Sequence, residues 1–274
     1  MSDESSITKR PVLKFTKDGK PETVTDSLVI EEPLEIRVRG RGIAVTMRTP
    51  GHDYELTAGF LLTEQIIKNF ADVMEIEHCQ RGEAADTQNV VNAFLSPGVE
   101  FDEEKLTRHV FASSSCGLCG KATIESIHQS VAALECDGLQ VSTNVLSKLP
   151  TTLAENQTVF GTTGGLHGAA IFDLSGNLIV LREDVGRHNA VDKVVGYGFQ
   201  NQLLPYHSQI LLISGRASFE IMQKALVAGI PIVAAVSAPS SLAIDFAKDS
   251  NQTLIGFLRD DRMNVYTHEG RISQ

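Results

Sequence analysis

The chain has no tryptophan, only four cysteines in 274 residues, and just 6% aromatic residues. Four cysteines are too few to staple a chain of this length, which excludes a disulfide scaffold and puts redox, metal or nucleophilic roles first for them. Basic charge is short as well. Against 34 acidic side chains stand 24 Lys and Arg, a formal net charge of −10. That balance excludes a general affinity for DNA or RNA, which needs clustered cations to displace counterions. It leaves room for an anionic ligand held locally by helix N-termini and a few placed arginines. Residues 1–20 contain no apolar stretch long enough for an export signal or a membrane span, so the expected location is the cytoplasm, with no membrane partner. Neither a P-loop nor a G-x-G-x-x-G fingerprint occurs, so no ordinary nucleotide motif is present.

What is present is ordinary globular composition, 42% hydrophobic, with ample apolar content for a core. Residues 1–27 lack periodicity and read as a loose lead-in. Residues 28–112 read as a small α+β lobe. Leu34, Ile36 and Val38 alternate, turn at Gly40-Arg41-Gly42, and alternate again through Ile43, Val45 and Met47, a hairpin signature. Leu56, Phe60, Ile66 and Ile67 then predict a helix over 53–68, and strands follow at 73–77 and 89–95. Residues 113–157 form a cysteine loop, a helix over 121–134 and a connection. Residues 158–274 alternate strands with helices: a hairpin at 166–173 and 178–183, a helix over 187–196, then strand, helix, strand, helix, strand over 209–258. Such alternation implies a sheet covered by helices on both faces, and so an α/β lobe.

Two features carry chemistry. The first is Ser113-Ser114-Ser115-Cys116-Gly117-Leu118-Cys119-Gly120, placed ahead of a helix start, where unpaired N–H groups and Lys121 favour the thiolate. Its glycines permit a tight, accessible turn. Persulfide transfer, dithiol redox chemistry and a structural zinc site all remain open on local chemistry, although no second Cys-x-x-Cys or close His pair completes a zinc set. Cys79 and Cys136 stand alone and read as small, partly buried side chains. The second feature is a set of donor-rich turns in the C-terminal half. Ser214-Gly215-Arg216-Ala217-Ser218 and Ser237-Ala238-Pro239-Ser240-Ser241 each follow a strand, where helix N-termini gather at the carboxyl edge of a sheet. Gly161-Thr162-Thr163-Gly164-Gly165 and Arg182-Glu183-Asp184-Val185-Gly186-Arg187-His188 add backbone donors and two arginines. His167 and His188 sit beside glycine-rich turns, and Arg259 and Arg262 can grip a phosphate bidentately unless their own aspartates engage them.

In order along the chain, Glu32-Pro33-Leu34-Glu35-Ile36, Thr46-Met47-Arg48-Thr49-Pro50-Gly51-His52-Asp53, Ala58-Gly59-Phe60-Leu61-Leu62-Thr63-Glu64, the cysteine segment, Gly164-Gly165-Leu166-His167, the run from Arg182 to Lys193, Ser214-Gly215-Arg216 and Phe257-Leu258-Arg259-Asp260-Asp261-Arg262 resemble the FdhD family of formate dehydrogenase accessory sulfurtransferases. The resemblance implies a sulfur carrier that takes persulfide sulfur from a cysteine desulfurase and passes it to the molybdenum cofactor in its bis(molybdopterin guanine dinucleotide) form, for formate dehydrogenase. It implies Cys116 as the persulfide carrier with Cys119 assisting, and cofactor contacts from Phe257, Leu258, Arg259, Asp260, Asp261 and Arg262. Ser214, Gly215, Arg216 and His167 join them as the phosphate-friendly candidates. It further implies a homodimer, a guanine nucleotide such as GDP or GMP as a cofactor mimic, and a cytidine-deaminase-like α/β/α sandwich in the C-terminal lobe. The chain has no His-x-Glu, so the zinc and proton shuttle of deaminases are not expected. A cofactor-binding chaperone without sulfur transfer and a dithiol–disulfide oxidoreductase are the competing readings.

Overall fold

A computed structural model describes residues 6–17, 19–99, 131–135 and 138–274. The described chain is a mixed α/β structure organised around two main sheets. β1 (Ile7–Lys14) and β2 (Glu22–Val29) form an antiparallel hairpin in unbroken register, Ile7 opposite Val29 through Lys14 opposite Glu22. The segment expected as a loose lead-in is therefore ordered over most of its length. Its strands lack an apolar rhythm because most of their side chains face solvent, and Phe15, just beyond β1, is 70% exposed. Pairing of backbone groups makes the hairpin without a buried face to mark it.

β3 (Glu32–Val38), β4 (Arg41–Arg48), β5 (Val73–His78) and β6 (Val90–Leu95) make a four-stranded sheet in the order β4-β3-β6-β5. Only β3 and β6 run parallel. Leu34, Ile36 and Val38 alternate into the core as their period of two requires. α1 (Asp53–Thr63) crosses over, and a short α2 (Glu83–Thr87) precedes β6. The first helix ends five residues earlier than its apolar pattern predicts. Glu64 closes it and Gln65 turns into the left-handed region at φ 59°, although Ile66 and Ile67 remain buried.

β7 (Val141–Ser142) leads into α3 (Thr143–Asn156), where the Ser142 hydroxyl accepts from the Val145 amide as an N-cap, and α4 (Thr158–Thr163) follows. The Gly161–Gly165 segment read as a donor turn is thus the end of a helix, closed by Gly164 at φ 66°. The helix expected through Leu134 does not extend that far. Leu134 donates its amide to Ser250 O and accepts at its carbonyl from Asn251, which removes both groups from an i→i−4 ladder.

The second sheet contains β8 (His167–Asp173), β9 (Leu178–Asp184), β10 (Gln209–Ile213), β11 (Ile232–Ala235), β12 (Thr253–Arg259) and β13 (Arg262–Val265) in the order β13-β12-β11-β10-β8-β9. The three central strands β10, β11 and β12 are parallel, and antiparallel strands flank them. α5 (Arg187–Gln200), α6 (Phe219–Val227) and α7 (Ser241–Asp249) connect them. Alternate sheet residues belong to separate cores. Ala169, Ile171, Leu211, Ile213, Val233 and Ala235 pack with α5, α6 and α7. Ala170, Phe172, Ile210, Leu212, Ile232 and Ala234 pack with Leu146, Leu149 and Leu153 of α3. β14 (Ile272–Ser273) pairs with β7 at the margin.

The two sheets meet through α1 and α5. A Cβ at Gly59 would run into the Asp192 carbonyl oxygen, and one at Gly196 into that of Glu55. Glycine at both positions lets the helix backbones touch, so one apolar core runs from β3 through α1 and α5 to the second sheet. Beside the crossing, Lys224 bonds both carboxylate oxygens of Asp192 at 2.9 Å and the Thr63 hydroxyl at 2.9 Å.

Candidate functional site

The carboxyl edge of the parallel strands gathers the candidate residues of the C-terminal half. Ser214 leaves β10 directly opposite Gly168 of antiparallel β8. The Ser214 amide donates to Gly168 O at 2.9 Å, and the Ser214 hydroxyl accepts from the Gly168 amide at 2.9 Å. This puts His167, at the start of β8, beside Gly215. A Cβ at Gly215 would approach the imidazole Nδ1 to 3.3 Å and the Arg187 Cβ to 3.8 Å. Arg216 is exposed at the rim. The next turn is stitched to this one. Ala217 donates to Ala238 O, Ser240 donates to Ala217 O, and the Ser240 hydroxyl caps α7 at the Ala243 amide. Ser237 O then accepts from the Phe257 amide at 3.1 Å, tying β12 to the same edge.

Phe257 has φ 52° and is 39% exposed, and the β12–β13 register shifts between Gly256 and Arg259. A phenylalanine in the left-handed region is strained, and such strain concentrates at functional sites. The bulge turns Phe257 outward while Leu258 stays fully buried. Arg259 and Arg262 face each other across the hairpin, with Asp260 and Asp261 at its tip. Among the described residues no ion pair joins these arginines to the two aspartates; Asp260 accepts instead from the Thr151 hydroxyl at 3.0 Å.

Behind the edge lies a buried frame. Asp184 ends β9, wholly buried, and its carboxylate pairs with Lys193 at 2.7 Å. It also accepts from the amides of Thr49 and Gly186 and from Asn189 Nδ2. Lys193 donates to Thr49 O and Glu183 O. Arg48 forms a fork with Asp53 at 3.1 Å on each arm and adds Glu32 and Asn89. Arg182 grips Glu55 at 2.6 and 2.7 Å. Burial opposes ionisation of Glu55, but bonds from Arg182 and His52 outweigh it and hold the carboxyl below its usual range. The segments carrying Arg48 to Asp53 and Arg182 to Lys193 are thus one structural unit that fixes the start of α5.

Arg187 at that start and Glu220 at the start of α6 carry no site assignment from sequence, whereas His188 is one of the two candidate histidines. Arg187 stands beside His167 and Gly215, and His188 Nε2 pairs with Glu220 at 3.0 Å and meets the Ser218 hydroxyl at 3.4 Å. The bond from His188 holds Glu220 below the ordinary carboxylate range. Arg187 was legible only as one donor in a glycine-flanked run, and Glu220 carried no signal at all. Cys116, Cys119 and Cys136 lie outside the described residues. Cys79 is described and is free. Among the described residues no cluster of His, Cys, Asp and Glu has the form of a metal site, and no helix is long and apolar enough to cross a membrane.

Comparison with known proteins gives the family and the fold. The model of the FdhD/NarQ family matches residues 29–273. A protein from Streptomyces coelicolor named sulfur carrier protein FdhD is 47% identical over 271 residues, covering 97% of this chain and 96% of its own length. Proteins of the same name from Mycobacterium tuberculosis and Sulfolobus acidocaldarius are 50% and 45% identical over 257 and 256 residues, covering 92% and 93% of this chain and 93% and 95% of their own. The crystal structure of a putative formate dehydrogenase accessory protein from Desulfotalea psychrophila superposes with a TM-score of 0.74 at 23% identity, over 98% of this chain and all of the other, and shows the same fold. The chain belongs to the FdhD/NarQ family.

Proposed function

We propose that the protein is a sulfur carrier that accepts sulfane sulfur from a cysteine desulfurase as a persulfide on Cys116 and delivers it to bis(molybdopterin guanine dinucleotide)-molybdenum, its substrate, in support of formate dehydrogenase. The observation that carries this reading is near-full-length identity to relatives named sulfur carrier protein FdhD. In the loading step the Cys116 thiolate attacks the outer sulfur of the desulfurase persulfide. A sulfur–sulfur bond forms as another breaks, and the desulfurase thiolate leaves. Cys119 helps to accept or release the sulfur.

Support for a dinucleotide acceptor comes from the sheet edge. Pyrophosphates need concentrated N–H donors and cations, which Ser214 to Arg216, His167 and Phe257 to Arg262 supply without a P-loop. The strained, partly exposed Phe257 ring offers a face on which a base can stack. A guanine nucleotide such as GDP is the simplest probe of that edge. The cytidine-deaminase-like α/β/α assignment belongs to the same proposal, supported by a six-stranded sheet whose two faces pack separate helical layers. Cytoplasmic location and a homodimer are part of it too.

Incubation with a cysteine desulfurase and cysteine, followed by intact-protein mass spectrometry, is expected to show a mass gain of one sulfur that Cys116→Ala abolishes. An undiminished adduct in that variant overturns the assignment. Formate dehydrogenase activation by Cys116→Ala at the wild-type level would favour the cofactor chaperone instead, and a reversible Cys116–Cys119 disulfide with turnover of generic disulfides would favour the oxidoreductase.

A further inference from the structure

Arg187 combines three features that its place in the fold does not explain. Its Nε is buried and has no hydrogen-bond partner among the described residues. A guanidinium N–H taken out of water without an acceptor costs stability, so such a group persists where something else supplies the acceptor. Its stem lies against Gly215, whose lack of a side chain leaves room beside the His167 ring. The surrounding charge is cationic or already committed: Arg216 at the rim, His188 bound to Glu220, and Asp184 bound to Lys193.

We infer that Arg187 is a phosphate-binding residue at the sheet edge, and that a diphosphate seated between Arg187, Arg216 and the Ser214–Gly215 turn draws a proton onto His167. The inference rests on the proposal that this edge receives a guanine dinucleotide, and it adds the residue that grips the diphosphate and the proton that accompanies it. His167 is held below the ordinary histidine range by burial first, then by Arg187 and His188, with Asp184 pulling weakly the other way. It is therefore neutral in the empty site at neutral pH. An anion that neutralises Arg187 removes one cause of that depression and supplies an acceptor for an imidazolium N–H, so the histidine's affinity for a proton rises on binding. By linkage, the diphosphate binds more tightly as pH falls from 8 to 6. Glu220 and His188, the other ionisable neighbours, lie against each other at 3.0 Å.

The test is calorimetric titration of the full-length protein with GDP and with inorganic pyrophosphate between pH 6 and 8, paired with NMR titration of the His167 imidazole. Arg187→Gln is expected to weaken both ligands by about tenfold to a hundredfold, as loss of a charge-assisted hydrogen bond does. Arg187→Lys should restore part of the affinity. The His167 pKa should rise on ligand addition, and His167→Gln should remove the protein's share of the pH dependence, leaving only that of the phosphate itself. The inference is overturned if Arg187→Gln, with an unchanged melting temperature, binds GDP as wild type does. If Arg259→Gln then loses binding, the guanine-dinucleotide reading survives without it. Tight, Arg187-dependent pyrophosphate binding with no gain from the guanosine would sustain the seat and remove the guanine. Failure of wild type to bind either ligand removes both.

Discussion

Asp184 and Lys193 form an ion pair in which neither side chain is more than 1% exposed. Two charges removed from water are expensive, and Asp184 survives because two amides and Asn189 Nδ2 also donate to it. Replacing one partner leaves the other charge buried and uncompensated. Asp184→Asn is expected to lose about 3–5 kcal/mol of stability, checked by urea denaturation. The same residue sits at the end of β9 behind His167, so its network doubles as the brace of the candidate site. Arg48 is likewise buried against Asp53. Both arginine and aspartate appear in the sequence as members of polar motifs, and nothing in the motif tells a buried brace from a ligand-facing group. Burial separates them: Asp184, Lys193 and Arg48 are enclosed, whereas Arg216, Arg259 and Arg262 face solvent.

At the level of elements, the α1–α5 crossing decides how the two sheets sit. Gly59 and Gly196 are reciprocal in it, each lying under a carbonyl of the other helix. A methyl group at either position must push the helices apart, and every residue that α5 positions moves with them, from Arg187 and His188 at its start to Lys193. Gly59→Ala is expected to lower stability by about 3 kcal/mol, the upper end of ordinary overpacking. It should also weaken the proposed GDP binding at a distance; thermal denaturation reports the first effect and titration with GDP the second. The strands and helices of the C-terminal half were legible because their apolar runs are short, bounded by turn residues and buried on both faces. The β1–β2 hairpin was not, because its side chains are mostly exposed and its order comes from backbone pairing. The end of α1 was misjudged because Ile66 and Ile67 are buried without being helical, so periodicity continued past the backbone that produced it.

For the whole molecule, acid should act through a few tied groups. Glu55 and Glu220 are held below the ordinary carboxylate range, so the stability they add is complete above the unfolded value of about 4.3 and is lost as pH falls through their lower folded values. His167, held below its ordinary range, works in the same direction from about pH 6.5 downward, because the unfolded chain takes up its proton first. The melting temperature of the ligand-free protein is therefore expected to fall gently below pH 6.5 and steeply below about pH 4.5. Glu55→Gln should flatten the steep part, and a profile identical to wild type would show that the Arg182–Glu55 fork adds nothing. Lys224 stays charged throughout this range: burial opposes its charge, but Asp192 and Glu64 outweigh burial and raise it.

The amino-acid sequence by itself determined the family and the α/β alternation of the C-terminal half, because each is written in local residue type and spacing. Tertiary structure alone decided that His167, Ser214 to Arg216 and Phe257 share one sheet edge, since antiparallel β8 and parallel β10 to β12 bring together residues up to 90 positions apart. It alone set Arg187 beside His167 and bound Glu220 to His188, because these contacts depend on where α5 and α6 begin in space. Local pattern records which groups a segment carries, and only long-range packing determines which of them are enclosed as braces and which remain open to a ligand.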